Sequence, residues 1–110
     1  MKAICKIRDI YAEIDKFGEE FEKEYNISLM EGILLSTLKE NNILSSYDLA
    51  KKTGLSFSNA SKVIKSMEGQ GFIIRSILKH DRRQVYFSLT DSGKAKIRKV
   101  KIKNLPPFLS

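Results

Sequence analysis

The most informative part of this chain is residues 45–93, which read SSYDLAKKTG (45–54), LSFSNASKVIKSMEGQG (55–71), FIIRSILKHDRRQVYFSL (72–89) and TDSG (90–93). Serine precedes each of the first two helical segments and glycine ends the first, a pattern typical of short capped helices. The third segment has two runs rich in β-branched and aromatic residues, 72–78 and 85–89, joined by a charged hexapeptide, which predicts a hairpin. A threonine then caps a third helix. This order predicts a winged helix-turn-helix, a mainly α fold (α+β) with a two-stranded β wing.

The helix predicted from Ser56 to Met67 has two distinct faces. Apolar residues recur at Ala60, Val63, Ile64 and Met67, a three-and-four spacing that turns one face toward a core. The other face has small polar and basic side chains and no carboxylate before Glu68, which suits base edges and phosphates as well as an ordinary solvated surface. The candidate DNA-binding residues of this helix are Ser56, Phe57, Ser58, Asn59, Ser61, Lys62 and Lys65.

The predicted hairpin tip, residues 79–84, is the wing. It carries Lys79, Arg82 and Arg83, which we expect to contact DNA. Arginine on a thin projecting loop can enter a minor groove, where narrow A·T-rich stretches concentrate negative potential. Asp81 is the one carboxylate of the tip, and we expect it to hold the loop by pairing with an arginine or with the backbone.

Charge is distributed unevenly along the chain. Residues 1–50 contain six Lys and Arg against ten Asp and Glu, a net of −4, whereas residues 51–110 contain fourteen against three, a net of +11. The second half therefore favours a polyanion as partner, although lysine-rich surfaces also serve solubility.

The N-terminal segment predicts a long amphipathic helix. From Lys2 to about Glu24 it lacks proline, and its apolar residues alternate steps of three and four, which are the a and d positions of a heptad. These apolar residues form a stripe along one face of the helix. The stripe either covers the chain's own core or forms a dimer interface, and its width favours the dimer. The candidate interface residues are Ile7, Ile10, Ile14, Phe17 and Phe21.

Composition narrows the function classes. The 110 residues suit one domain, and no apolar run has the length or flanks of a membrane span or signal peptide, so we expect a cytoplasmic protein without membrane contact. One cysteine (Cys5) and one histidine (His80) neither form an internal disulfide nor complete a usual zinc site. We expect no metal, no cofactor and no enzymatic activity, because no nucleophile lies near a base in sequence.

Four short motifs together resemble the multiple antibiotic resistance regulator (MarR) family of bacterial winged-helix transcription regulators. They are GLS (54–56) leading into the next helix, QGFI (70–73), DRR (81–83) and LTDSG (89–93), and the resemblance covers about residues 28–95. It implies a recognition helix from Ser56 to Met67, an Arg83 that enters the minor groove, and Asp81 as its positioning carboxylate. It further implies a homodimeric repressor of double-stranded DNA at a pseudo-palindromic operator, released by a small-molecule effector or by cysteine oxidation.

The chain is accordingly divided into three parts of a single domain. Residues 1–26 are the predicted dimerisation helix, 28–93 the DNA-reading head, and 94–110 a basic C-terminal helix and tail. Two alternatives stay open. One is a winged-helix module that binds an acidic protein partner, for which Phe57 is the obvious hot spot. The other is a redox-switched regulator that senses through Cys5.

Overall fold

The computed structural model describes residues 2–78 and 81–101, with the backbone alone at Asp81 and Arg82. Two compact units divide the described chain, one of residues 2–29 with 101 and one of residues 30–100. The second unit is the winged helix-turn-helix, so the predicted α+β class is confirmed. In chain order the elements are α1 (Lys2–Tyr25), α2 (Leu29–Asn41), β1 (Ile43–Ser45), α3 (Ser46–Thr53), α4 (Phe57–Gly69), β2 (Ile73–Leu78), β3 (Asp81–Leu89) and α5 (Asp91–Arg98).

The first unit is built on one unbroken helix, α1, which ends where Asn26 adopts a left-handed φ of 59°. Its aromatic residues form a ladder, with ring centroids 6.4 Å apart for Phe17 and Phe21 and 4.9 Å apart for Phe21 and Tyr25. The Tyr25 hydroxyl donates a hydrogen bond to the carbonyl of Lys101 at 2.6 Å and accepts one from its N–H at 3.0 Å. The C-terminal end of α1 is therefore fixed by contacts within its own unit.

Helices α3 and α4 begin at the predicted caps. The hydroxyls of Ser45 and Ser56 accept hydrogen bonds from the backbone N–H groups of Asp48 and Asn59, at 3.1 and 3.2 Å. Gly54 ends α3 with a φ of 75°, a left-handed conformation that glycine adopts without steric cost. These local bonds set the start of α3, its sharp stop and the start of α4.

The sheet has three antiparallel strands in the order β1-β3-β2, where the sequence predicted only the two strands of the wing. The additional strand is β1, which pairs with β3 from Ile43 opposite Ser88 to Ser45 opposite Tyr86. Sequence reasoning placed an extended link at Ile43 and Leu44. A three-residue segment is too short to show alternation, so only its pairing with β3 identifies it as a strand.

The predicted six-residue hairpin tip was wrong in its extent. β3 already begins at Asp81, which pairs with Leu78, so only residues 79–80 separate the two strands. Between the pairs Ser76–Tyr86 and Leu78–Asp81, β2 has one intervening residue and β3 has four, which marks a bulge. Backbone pairing thus extends strand structure into a charged stretch whose side chains have low β propensity.

The last helix follows the threonine cap that the sequence predicted. Thr90 caps α5, which begins at Asp91 and ends at Arg98, and residues 102–110 lie outside the described residues. The Thr90 hydroxyl donates to the carbonyl of Gly71 at 2.6 Å, and the Thr90 N–H donates to that of Phe72 at 3.0 Å. A Cβ on Gly93 would overlap the Phe72 carbonyl oxygen, so only glycine permits this approach. These contacts seat α5 against the start of the wing.

Candidate nucleic-acid interface

Helix α4 presents the two faces that its sequence predicted. Ala60, Ile64 and Met67 are buried, and Val63 is half-buried, so this side belongs to the core of the unit. All the side chains predicted to read DNA lie on the opposite side or at its N-terminal cap, and all are exposed. They are Ser56, Phe57, Ser58, Asn59, Ser61, Lys62 and Lys65.

The one carboxylate of α4 forms an ion pair with an arginine of the wing. Arg75 on β2 binds Glu68 in a bidentate pair, Nε to Oε2 at 2.7 Å and Nη2 to Oε1 at 2.6 Å. The hydrogen bond to Arg75 lowers the pKa of Glu68 below its ordinary value of 4.5, although partial burial opposes the shift. The Arg75 guanidinium also lies 5.7 Å from the centroid of the Phe87 ring. The negative charge at the end of α4 is therefore compensated by the wing.

A second carboxylate fixes the C-terminal half of α4 to α2. Ser66 Oγ donates to Glu31 Oε2 at 2.6 Å, and Gln70 Nε2 donates to the same oxygen at 3.2 Å. Ser66 is thus engaged with α2. Sequence reasoning missed this cluster because Glu31 lies 35 and 39 residues away from its two partners, beyond the range of any local motif.

The predicted wing residues are only partly visible. Arg83 is exposed and lies on β3, within the bulge. Asp81 and Arg82 have backbone positions at the start of β3, but their side chains lie outside what the structure describes, as does all of Lys79. The DNA contacts of Lys79 and Arg82 and the positioning role of Asp81 stay predictions.

Two exposed aromatic rings meet where α3 and α4 begin. Tyr47 lies in the first turn of α3 and Phe57 is the first residue of α4, and their ring centroids are 5.7 Å apart. Tyr47 is 54% exposed and Phe57 is 63% exposed. An apolar pair therefore stands among the polar side chains of the candidate interface.

A concave surface of about 460 Å³ lies between α2, β3 and α5. Its lining has three aliphatic side chains and three cationic ones and no carboxylate, so it is a positively charged surface formed without residues of α4. The lining residues are Leu38, Lys39, Asn42, Ser88, Leu89, Lys94, Ile97 and Arg98.

Comparison with known proteins identifies the family. The sequence pattern of the MarR family matches residues 27–85, which is more than half of the chain and runs from α2 into the first part of β3. The chain belongs to the MarR family. The resemblance predicted from the four sequence motifs is thereby confirmed.

Relatives of this MarR-family chain include the uncharacterised HTH-type transcriptional regulator YwaE of Bacillus subtilis. The two are 33% identical over 104 residues, which cover 91% of the chain and 61% of YwaE. Two solved structures share the fold. A MarR variant from E. coli complexed with operator DNA has a TM-score of 0.81 at 16% identity, covering 90% of the chain and 71% of that protein. An S. aureus MepR mutant bound to an oligodeoxyribonucleotide has a TM-score of 0.69 at 21% identity, covering 87% and 71%.

These comparisons confirm the winged-helix fold and place the chain in a family whose relatives are named as transcriptional regulators. The chain spans about three fifths of the length of YwaE. In this MarR-family chain, none of the described helices combines the length and apolarity required to cross a membrane. The described residues also contain no group of three side chains suited to hold a metal ion.

In this MarR-family chain, the exposure of the apolar stripe of α1 decreases from Ile7 toward Phe21. Ile7 is 53% exposed, whereas Ile10, Ile14 and Phe17 are half-buried. Phe21, predicted as an interface residue, is only 5% exposed within the single chain. Phe21 is therefore already buried before any partner binds, whereas the N-terminal part of the stripe is exposed. Cys5 is exposed on the same helix.

The Glu68–Arg75 pair predicts a pH-dependent stability. Glu68→Gln should lower the thermal unfolding midpoint modestly at neutral pH, because the charged bidentate pair is lost. In the folded chain the pKa of Glu68 lies below 4.5, its ordinary value. At a pH between these two values, Glu68 therefore binds fewer protons in the folded chain than in the unfolded chain. The stabilisation is complete above 4.5 and is lost as the pH falls through the lowered pKa, so the two midpoints should converge in acid.

Circular dichroism melts over a pH series measure this difference. Glu40→Gln, at an exposed position of α2, is the matched control and should show a smaller difference from the wild type at neutral pH, with no comparable change of that difference toward acid. Equal midpoints for Glu68→Gln and the wild type at neutral pH, or a difference that persists well below pH 4.5, would contradict the assigned pair.

Proposed function

We propose that this chain is the DNA-reading part of a sequence-specific, double-stranded DNA-binding transcriptional regulator, a homodimeric repressor at a pseudo-palindromic operator. The observation that carries the proposal is the exposed face of α4. It offers small polar groups and two lysines, and the helix's one carboxylate, Glu68, is bound by Arg75. A helix that enters the major groove needs a face that approaches base edges and phosphates without like-charge repulsion.

Within this proposal, α4 is the recognition helix. Ser58, Asn59 and Ser61 are short hydrogen-bonding side chains suited to base edges, and Lys62 and Lys65 neutralise phosphates and release counterions. Ser56 serves first as the helix cap, because its hydroxyl oxygen accepts from the Asn59 N–H at 3.2 Å. Its hydroxyl hydrogen can still be donated to a phosphate.

The wing supplies the second contact. Arg83 lies on β3 beyond the last regular pair of the hairpin, Ser76 with Tyr86, toward the turn. We propose that it enters the minor groove flanking the major-groove site, that Lys79 and Arg82 contact the backbone, and that Asp81 positions the arginine. The Glu68–Arg75 pair supports this arrangement, because it ties the wing to the end of the recognition helix.

Relatives of this fold support a nucleic-acid partner. The E. coli MarR variant was solved with operator DNA and the S. aureus MepR mutant with an oligodeoxyribonucleotide. A regulator of bacterial genes acts where the chromosome is, so we propose that this chain works in the cytoplasm.

The dimer is proposed from α1. Ile7 exposes 53% of its surface, and Ile10, Ile14 and Phe17 follow along the same stripe, each half-buried. A second copy would remove this apolar surface from water, which is favourable by about 25 cal/mol per Å² buried. Two copies also present two reading heads, as a two-fold operator requires.

The first prediction of this proposal separates phosphate contacts from groove contacts. Lys62→Ala should weaken binding to duplexes of any sequence by a similar factor and reduce the slope of log affinity against log salt by about one. Arg83→Ala should weaken binding most where the flank is A·T-rich, because the narrow minor groove is the feature it reads. Fluorescence anisotropy with duplexes that differ only in an A·T or G·C flank measures both effects across a salt series.

Lys39→Ala is the matched control for charge. Lys39 is an exposed lysine at the C-terminal end of α2, outside α4 and the wing, so its loss should leave the flank preference unchanged and the salt slope nearly so. If Lys62→Ala and Arg83→Ala both bind like the wild type, the docking of α4 and the wing is wrong.

The second prediction concerns the dimer. Ile7→Glu places a charge in the exposed N-terminal part of the stripe, so it should convert the dimer into a monomer and thereby weaken operator binding. Sedimentation velocity measures the oligomeric state. Ala12→Glu adds the same side chain at an exposed position of α1 that belongs to neither the a nor the d set, and it should remain dimeric. A wild-type monomer, or an Ile7→Glu dimer, would contradict an interface on this stripe.

A further inference from the structure

We propose that Phe57 reads the methyl group of a thymine in the operator, and that Tyr47 is the positioning residue that holds the Phe57 ring. This inference rests on the proposed function, because it assigns a specificity to the helix already proposed to enter the major groove.

Phe57 lies at the end of α4 from which a recognition helix contacts base edges. It is the first residue of α4, and the N-terminal residues of a recognition helix are those that reach base edges. Its side chain is 63% exposed, although phenylalanine is usually well buried. The residues that follow it, Ser58 and Asn59, are short, so they allow the ring to come close to the bases.

The groups displayed in the major groove determine what a phenyl ring can contact there. The base edges of the major groove display hydrogen-bond donors and acceptors, and the thymine C5-methyl is the apolar group among them. A phenyl ring offers no hydrogen bond. An exposed phenylalanine in this place therefore gains from DNA chiefly by contacting a thymine methyl.

The Phe57 ring is supported by Tyr47. The Tyr47 ring packs against Phe57 at 5.7 Å between centroids with an angle of 38° between the planes. Tyr47 comes from the first turn of α3, which the Ser45 cap fixes, so the two rings belong to separately anchored helices. An aromatic pair of this kind limits the orientations of Phe57 before DNA arrives.

The surroundings of the ring pair favour DNA over a protein surface as the occupant. The exposed residues of α4 include Lys62 and Lys65 and no carboxylate. The last turn of α3 contains Lys51 and Lys52, and its first turn contains one half-buried carboxylate, Asp48. Small polar groups flank the rings where a protein hot spot would have a wider apolar patch. A protein partner is therefore the alternative outcome of the test.

The test removes one methyl group from the DNA at a time. A duplex selected from a random pool by the wild-type protein is remade with each thymine replaced singly by deoxyuridine, which lacks only the C5-methyl. For the wild type, one thymine in each half-site should show a loss of affinity of about fourfold, the value expected for burying one methyl group. For Phe57→Ala, which should bind more weakly overall, the loss at that thymine should shrink to a factor near one.

The variants of Tyr47 test its positioning role. Tyr47→Phe retains the ring and should keep the deoxyuridine effect, whereas Tyr47→Ala should reduce it. Ile74→Ala, at a similarly exposed apolar residue on β2, is the control and should retain the full effect. Circular dichroism confirms that each variant is folded.

Two results would overturn the inference while leaving the proposed function intact. One is a selected duplex in which no thymine is sensitive to deoxyuridine, and the other is a Phe57→Ala variant that retains the same sensitivity as the wild type. If the folded wild type selects no sequence at all, the proposed function itself fails, and the rings are then assigned to a protein partner.

Discussion

The reading surface depends on one constraint, the fixing of α4 at both of its ends. At the start, the Ser56 hydroxyl caps the helix through the Asn59 N–H. At the end, Glu31 of α2 accepts hydrogen bonds from Ser66 and Gln70, and Arg75 of β2 binds Glu68 in a bidentate pair. The helix is thus set relative to α2 and to the wing by side-chain bonds of defined geometry, beyond the packing of its buried face. Preorganisation of this kind reduces the entropy that binding has to offset.

The same bonds decide the charge of the surface. A carboxylate at the end of a recognition helix would repel phosphates, but Glu68 is paired with a cation from the neighbouring strand. The remaining exposed side chains of α4 are lysine, serine, asparagine and phenylalanine. The Glu68–Arg75 ion pair therefore connects the wing to α4 and neutralises the carboxylate that would repel a polyanion. The aromatic pair of Tyr47 and Phe57 adds an apolar contact to a surface that is otherwise polar and basic.

What the sequence predicted well was local in sequence. The caps at Ser45, Ser56 and Thr90 and the stop at Gly54 need partners within three or four residues, so the pattern alone located the helices. The features it missed depend on distant partners. β1 is recognisable only through its pairing with β3, and the extent of β3 through its pairing with β2. For the same reason the sequence did not foresee the Glu31 cluster or the burial of Phe21.

The most direct test of the central claim is selection of bound sequences from a random duplex pool by the purified chain, at about 0.15 M salt to suppress nonspecific attraction. A sequence-specific dimeric reader predicts an enriched pseudo-palindrome with half-sites about one helical turn apart. A lack of enrichment with protein shown to be folded would contradict the account, because α4 would then present its polar face to something other than DNA.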